Sequence, residues 1–204
     1  ARWDAWLQQC LSSARNALGD AAFTEAYVRA PAWHFLLMPG VIDGAAWAGV
    51  LMASVDRVGR HFPLTACMQT RDPRAVLASL AEGGVWHQRV SQALLSAVSG
   101  EVDVDGFEQL LASCLFPLNR HLPNGAGREL LSAAAVSLTG RIGAVTLPGP
   151  LDQALPAAGL DLLARDLTGE SLWWASPADG ATTLLIARGL PAPGDYLALL
   201  QPPG

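Results

Sequence analysis

"APAWHFLLMPGVIDGAAWAGVLMASVDRVGRHFPLTACMQT" (residues 30–70) holds three apolar runs set apart by turn-forming residues. "WHFLLMPG" reads as a strand closed by Pro39 and Gly40, and "AWAGVLMAS" and "FPLTACMQ" read as two more. Unbroken apolar stretches such as "FLLM" predict strands buried on both faces. Between the second and third strands lies "SVDRVGRHFPL" (residues 54–64), with Ser54, Asp56, Arg57, Arg60 and His61 crowded into a tight connection. The charges therefore fall at a strand–turn–strand junction. Connections this short make the neighbouring strands antiparallel.

Upstream, "WDAWLQQCLSSARNAL" carries Trp3, Trp6, Leu7, Cys10, Leu11, Ala14 and Leu18 at helical spacing, and a shorter helix follows from Asp20 to about Arg29. Downstream, residues 72–167 read as mostly helical. Asp72 caps a helix that has Pro73 in its first turn. "VWHQRVSQALLSAVSG" places Val85, Val90, Leu94, Leu95 and Val98 on one face, with Gly100 as its stop. "DGFEQLLASCLF" predicts a third helix ended by Pro117, "RELLSAAAVSLTGRI" fits helix or strand, and "PGPLDQALPAAGL" reads as turn-rich. "SLWWAS" and "TTLLIAR", joined by "PADG", read as a hairpin before a short helix in "GDYLALL". Successive strand residues point to opposite faces, so Trp173 and Trp174 are expected on different sides of the sheet. Five strands, with helices between the third and fourth, predict an α/β fold: one mixed, largely antiparallel sheet covered on both faces.

Composition narrows the function. Half of the 204 residues are hydrophobic and only 15% are charged, enough for a packed core and too little charge for disorder. All 13 basic residues are arginines, scattered without a stripe, and the net charge is −5, which argues against nucleic-acid binding. No apolar run nears the roughly 18 residues that cross a bilayer, so no membrane insertion is expected. Cys10, Cys67 and Cys114 lack metal spacing and fit reduced thiols in a cytoplasmic protein.

Known chemical motifs fail in turn. "PNGAGREL" has Leu130 where a dinucleotide loop needs its third glycine, and it lacks the Gly-Lys-Ser/Thr of a P-loop. "DVDG" lacks the glycine and glutamate of a calcium loop, so Asp103 and Asp105 read as helix caps. His34, His61, His87 and His121 show no zinc spacing, and no serine sits in a G-x-S-x-G elbow. No cofactor or metal is expected. Three readings of the junction stay open. Asp56, Arg57 and Arg60 could form a clasp that ties a strained turn together, with Gly59 supplying a positive φ. They could present a surface to an acidic or phosphorylated partner. Ser54, Asp56, Arg57 and His61 could instead form the nucleophilic set of a small hydrolase or phosphoryl-handling enzyme. As a clasp, Asp56 and Arg60 should be mostly buried and hydrogen-bonded, since an unpaired buried charge costs several kcal/mol.

The same residues closely resemble the signature of the TagF (ImpM-type) family of type VI secretion-associated proteins. That family shows a "PxWxF" strand followed by "WxGVxxxSxDxVGRxFPL". Trp33, Phe35, Gly49, Val50, Ser54, Asp56, Val58, Gly59, Arg60, Phe62, Pro63 and Leu64 match it in register. "WDAWLQQCLSSAR" resembles the family's first helix, and "SLWWAS" with "RGLP" its C-terminal hairpin, so the likeness spans the chain as one domain, 1–204. The resemblance implies an α-β-α three-layer sandwich. It also implies a cytoplasmic, non-enzymatic, post-translational repressor of type VI secretion, acting through the forkhead-associated scaffold protein Fha. Its structural and interaction signature would comprise Trp33, Ser54, Asp56, Arg57, Gly59, Arg60, Phe62, Pro63, Trp173 and Trp174, with the exposed members of Arg57, Trp33 and Trp174 as contact candidates. A "GKLP…GDF" segment that usually precedes the first helix is absent from the sequence, so an edge strand and part of the surface are expected to be missing.

Overall fold

The computed structural model describes residues 2–56, 58–81, 84–116, 151–175 and 182–201. Its elements run α1 (Arg2–Leu18), α2 (Asp20–Arg29), β1 (Trp33–Leu37), β2 (Ala46–Met52), β3 (Leu64–Thr70), α3 (Pro73–Ala81), α4 (Val85–Val98), α5 (Val104–Ser113), α6 (Leu151–Asp166), β4 (Glu170–Ala175), β5 (Thr183–Arg188) and α7 (Leu197–Leu200). The five strands form a single sheet in the order β3-β2-β1-β4-β5. Each of the four pairings is antiparallel, so among the described residues the expected mixed character is not seen. The long helical excursion between β3 and β4 can return to either end of the sheet, and it delivers β4 antiparallel to β1.

β1 is the central strand, and its alternation divides the core. Trp33, Phe35 and Leu37 join Leu51 and Trp173 in a cluster with Trp6, Leu7 and Cys10 of α1, Phe23 and Tyr27 of α2, and Leu199 of α7. Leu36, Ala46, Ala48, Val50 and Leu172 join the other cluster, with Val76 and Leu77 of α3, Trp86, Val90 and Leu94 of α4, and Ala164 of α6. Trp173 is fully buried in the first cluster, and Trp174 packs partly buried against the second, as the strand alternation requires. Indole N–H groups taken out of water find acceptors. Trp33 Nε1 donates to the Leu199 carbonyl at 2.7 Å, Trp6 Nε1 to that of Pro191 at 2.8 Å, and Trp173 Nε1 to Ser171 Oγ at 3.0 Å.

Helix ends follow their local chemistry. Asp72 Oδ1 accepts from the Arg74 N–H at 3.0 Å, and Asp103 Oδ1 accepts from that of Gly106 at 2.9 Å. Gly100, at φ 75°, closes α4. The burial of α4 differs from the expected stripe. Trp86, His87, Val90, Ala93 and Leu94 face the sheet, while Val85, Leu95 and Val98 are exposed. The helix carries apolar residues on two sides, and the aromatic pair at its start selects the inner one. The stretch read as turn-rich is instead helical from Leu151, with Pro156 inside α6. Proline removes one N–H and crowds the preceding turn, but the adjoining Ala157 and Ala158 are fully buried and hold the helix in place. "RELLSAAAVSLTGRI" and the "PADG" turn lie outside the described residues.

One glycine is dictated by packing. Gly49 pairs across the sheet with Phe35, whose ring lies over it. A Cβ at this position would collide with that ring and would stand 2.7 Å from the Ala66 carbonyl oxygen, which cannot move without breaking the β2–β3 ladder. Gly49→Ala is therefore expected to cost about 2–3 kcal/mol, at the upper end for overpacking in a rigid core. Chemical denaturation should show this as a lower midpoint with an unchanged slope.

Candidate functional site

The described residues between Met52 and Leu64 form a small folded unit built around one carboxylate. Asp56 Oδ1 accepts from the backbone N–H of Val58 at 3.0 Å and of Arg60 at 2.9 Å, and Oδ2 accepts from Arg60 Nε at 2.6 Å. The Asp56 N–H donates to the Arg60 carbonyl at 3.0 Å, and the Gly59 N–H to that of Asp56 at 2.9 Å, with Gly59 at φ 82°. A positive φ here is the reason for glycine. Val55 and His61 form a bridge below this turn, and the Phe62 N–H donates to the Ser54 carbonyl at 2.9 Å. The Arg60 N–H, followed by its guanidinium, holds the Asp56 carboxyl below its ordinary value.

The clasp exists, but not where it was expected. The Arg60 side chain is 79% exposed and that of Asp56 32% exposed. Three donors from its own turn satisfy the carboxylate, so it needs no burial, and burying the pair would add a desolvation cost. Arg57 lies outside the described residues.

A second set of contacts fixes the base of the loop. The Tyr27 hydroxyl donates to the Ser54 carbonyl at 3.0 Å and accepts from the Ser54 N–H at 3.2 Å. Burial pushes the Tyr27 phenol up to about 12, so it remains protonated and able to donate. The His61 ring stands edge-on to Tyr27 and Phe23, with centroids 4.8 and 5.3 Å away. Arg15 Nη2 lies 3.2 Å from His61 Nδ1. A guanidinium can only donate, so Nδ1 is the acceptor in this contact. In a nucleophilic triad a carboxylate would orient this nitrogen. Here the Asp56 carboxylate is taken up by its own turn. Among the described residues no hydrogen bond joins Ser54 to Asp56 or His61, and no group of three metal-binding side chains converges.

The turn presents an apolar surface. Val58 is 76% exposed and Phe62 70% exposed, with Val55 and the Arg60 side chain also exposed. Phe62 and the buried Pro63 form one wall of an open cleft of about 1060 Å³. Trp3, Leu7 and Leu11 of α1 line it too, as do Phe35 of β1 and Trp47 of β2. The remaining signature residues do not join this surface. Trp33 and Trp173 are core, and Trp174 faces the other side of the sheet. The sequence reading missed Arg15 and Tyr27, whose roles depend on α1 and α2 folding back over the junction. Their positions in the helices carry no local signal of it.

Replacing Asp56 with alanine should free the turn without unfolding the protein. Amide exchange at Val58 and Arg60 is expected to accelerate sharply, while the core strands keep their protection. The same loss should appear in the native protein as pH falls through the depressed Asp56 value. A carboxyl with a lowered folded pKa contributes fully above its unfolded value and loses that contribution on acidification. Unchanged exchange at both amides would remove the clasp from the account.

Comparison with known proteins places this geometry in a family. The model of the TagF N-terminal domain, described as type VI secretion system-associated, matches residues 1–114. The crystal structure of PA0076 from Pseudomonas aeruginosa PAO1 is similar at 32% sequence identity with a TM-score of 0.72, over 99% of this chain and 84% of that one. No curated protein matches the chain. The matched residues include the first sheet strands, the clasped turn and the α1 wall of the cleft. The chain belongs to the TagF family of type VI secretion system-associated proteins.

Proposed function

We propose that this protein is a non-enzymatic, cytoplasmic, post-translational repressor of type VI secretion. It acts by binding a secretion component on the 54–63 turn, and the family resemblance makes the forkhead-associated scaffold Fha the first partner to test. In this reading residues 1–204 form one domain, and the helical clusters on the two faces of the sheet make a three-layer α-β-α sandwich. Among the described residues no helix is long and apolar enough to cross a membrane, which suits a partner reached from solution.

The supporting observation is the pairing of rigidity with exposed apolar area. Val58 and Phe62 stand in solvent on a turn held by Asp56 from within and by Tyr27 from beneath. Exposed apolar groups confined to a preorganised loop mark interaction surfaces, since little entropy is lost when such a loop docks. Arginine and aromatic residues dominate binding hot spots, and Arg60, exposed to solvent, lines the same cleft as Phe62.

Binding of purified Fha to single variants tests the proposal. Phe62→Ala and Arg60→Ala should each weaken affinity by roughly 30-fold, the scale of a hot spot of about 2 kcal/mol. Thermal midpoints should remain near that of the native protein, because neither side chain supports the core. A Ser54→Ala variant should repress secretion normally if the cluster performs no chemistry, because Ser54 gives the turn only backbone groups. Loss of repression in that variant, with folding and Fha binding intact, would favour the hydrolase reading instead.

A further inference from the structure

The sheet face opposite the cleft carries a group of polar side chains that the docking turn does not use. His34 of β1 and His87 of α4 stand with ring centroids 5.5 Å apart. The Trp174 ring lies 5.4 Å from His34 and 4.8 Å from His87, edge-on to both, and Trp86 meets His87 edge-on at 4.8 Å. His34 Nε2 is 2.8 Å from Ser91 Oγ. His87 is fully buried, and neither of its ring nitrogens closes a hydrogen bond.

The elements around this pair are mostly apolar, and the polar groups that meet it are Ser91 Oγ, at His34, and the Phe35 backbone, which favours a proton on His87. β2 brings Ala46, Ala48 and Val50, α3 brings Val76 and Leu77, and α6 brings Leu160 and Ala164. α5 presents Phe107 and Leu111, with the Cys114 thiol at its end, and on α4 itself Arg89 is exposed. Among the described residues, His34 is the one charge-bearing side chain whose field reaches His87, and it disfavours a proton there.

We propose that the His34–His87 pair makes the seam between α4 and the sheet a proton-operated latch, closed while both imidazoles are neutral and opened when either is protonated. The step moves only protons, from solvent to the imidazole nitrogens, and gives first one and then two like charges in an aromatic cage. Burial lowers His87 to about 3, with the His34 charge adding to the shift and the Phe35 backbone opposing it, and burial lowers His34 to about 4. Both values lie below the ordinary 6.5, so the opened seam binds more protons than the closed one. The stabilisation is whole above pH 6.5 and drains away as pH falls toward about 4 and then about 3. Each histidine contributes up to tenfold per pH unit to the opening equilibrium, and the pair up to about a hundredfold.

Amide exchange of the intact protein, corrected for the intrinsic pH dependence of exchange, tests the latch. Between pH 6.5 and 5 the opening constant of α4 should rise by up to about a hundredfold per pH unit, ahead of α1. In His87→Phe, which keeps an aromatic ring in the cage, the rise should fall to about tenfold or less, and in His34→Phe/His87→Phe it should vanish. An α4 opening constant independent of pH, an equal rise in the variants, or α4 and α1 opening together would each overturn the proposal. If a variant fails to fold, the ring-proton resonances of the native protein decide. His34 and His87 that stay neutral down to pH 5 support the latch, and titration of both near pH 6.5 overturns it.

Discussion

Burial of β1 from both sides is the constraint on which the rest of this structure depends. Trp33, Phe35 and Leu37 need cover on one face and Leu36 on the other, and none of the four is more than 2% exposed. Five strands in one sheet cannot supply that cover, so helices must close against both faces. The large apolar side chains of the strand make this worthwhile, at ~25 cal/mol for each Å² removed from water. The Phe35 ring also lies across Gly49, so the central strand dictates a residue on its neighbour.

Between β2 and β3 the chain turns at the rim of this double core, where water is at hand. The turn meets its hydrogen-bonding needs with a single carboxylate rather than by sinking charges into the interior. Asp56 takes two backbone N–H groups and one guanidinium N–H, and the turn becomes rigid while its apolar residues stay exposed. Rigidity and exposure usually oppose one another, because apolar surface left in water tends to collapse onto the nearest core. Here Tyr27 and the Val55–His61 bridge hold the turn upright from its base.

The opposite face follows a different logic. Where α4 meets the sheet, Trp86 and Trp174 enclose two imidazoles instead of aliphatic side chains. A neutral imidazole fills an aromatic cage almost as an apolar ring does, yet it can take a charge that burial disfavours. One sheet thus supports a surface built on satisfied charges and a seam built on the exclusion of charge.

Short-range physics was legible in the residues themselves. The strand runs, the opposite facing of Trp173 and Trp174, the caps at Asp72 and Asp103, the positive φ at Gly59 and the pairing of Asp56 with Arg60 each depend on a few neighbouring positions. The tertiary structure alone decided everything that depends on what lies across a gap. It turned α4 with Trp86 and His87 inward, although Val85, Leu95 and Val98 offered an apolar alternative, and it kept α6 helical through Pro156 by burying the adjoining alanines. It left Arg60 in solvent and brought Arg15 against His61, contacts made by helices folding over the junction. Local hydrogen bonds and side-chain periods are complete within a turn or a strand. Which face is covered, and which charge meets water, is settled only when distant segments compete for the same surface.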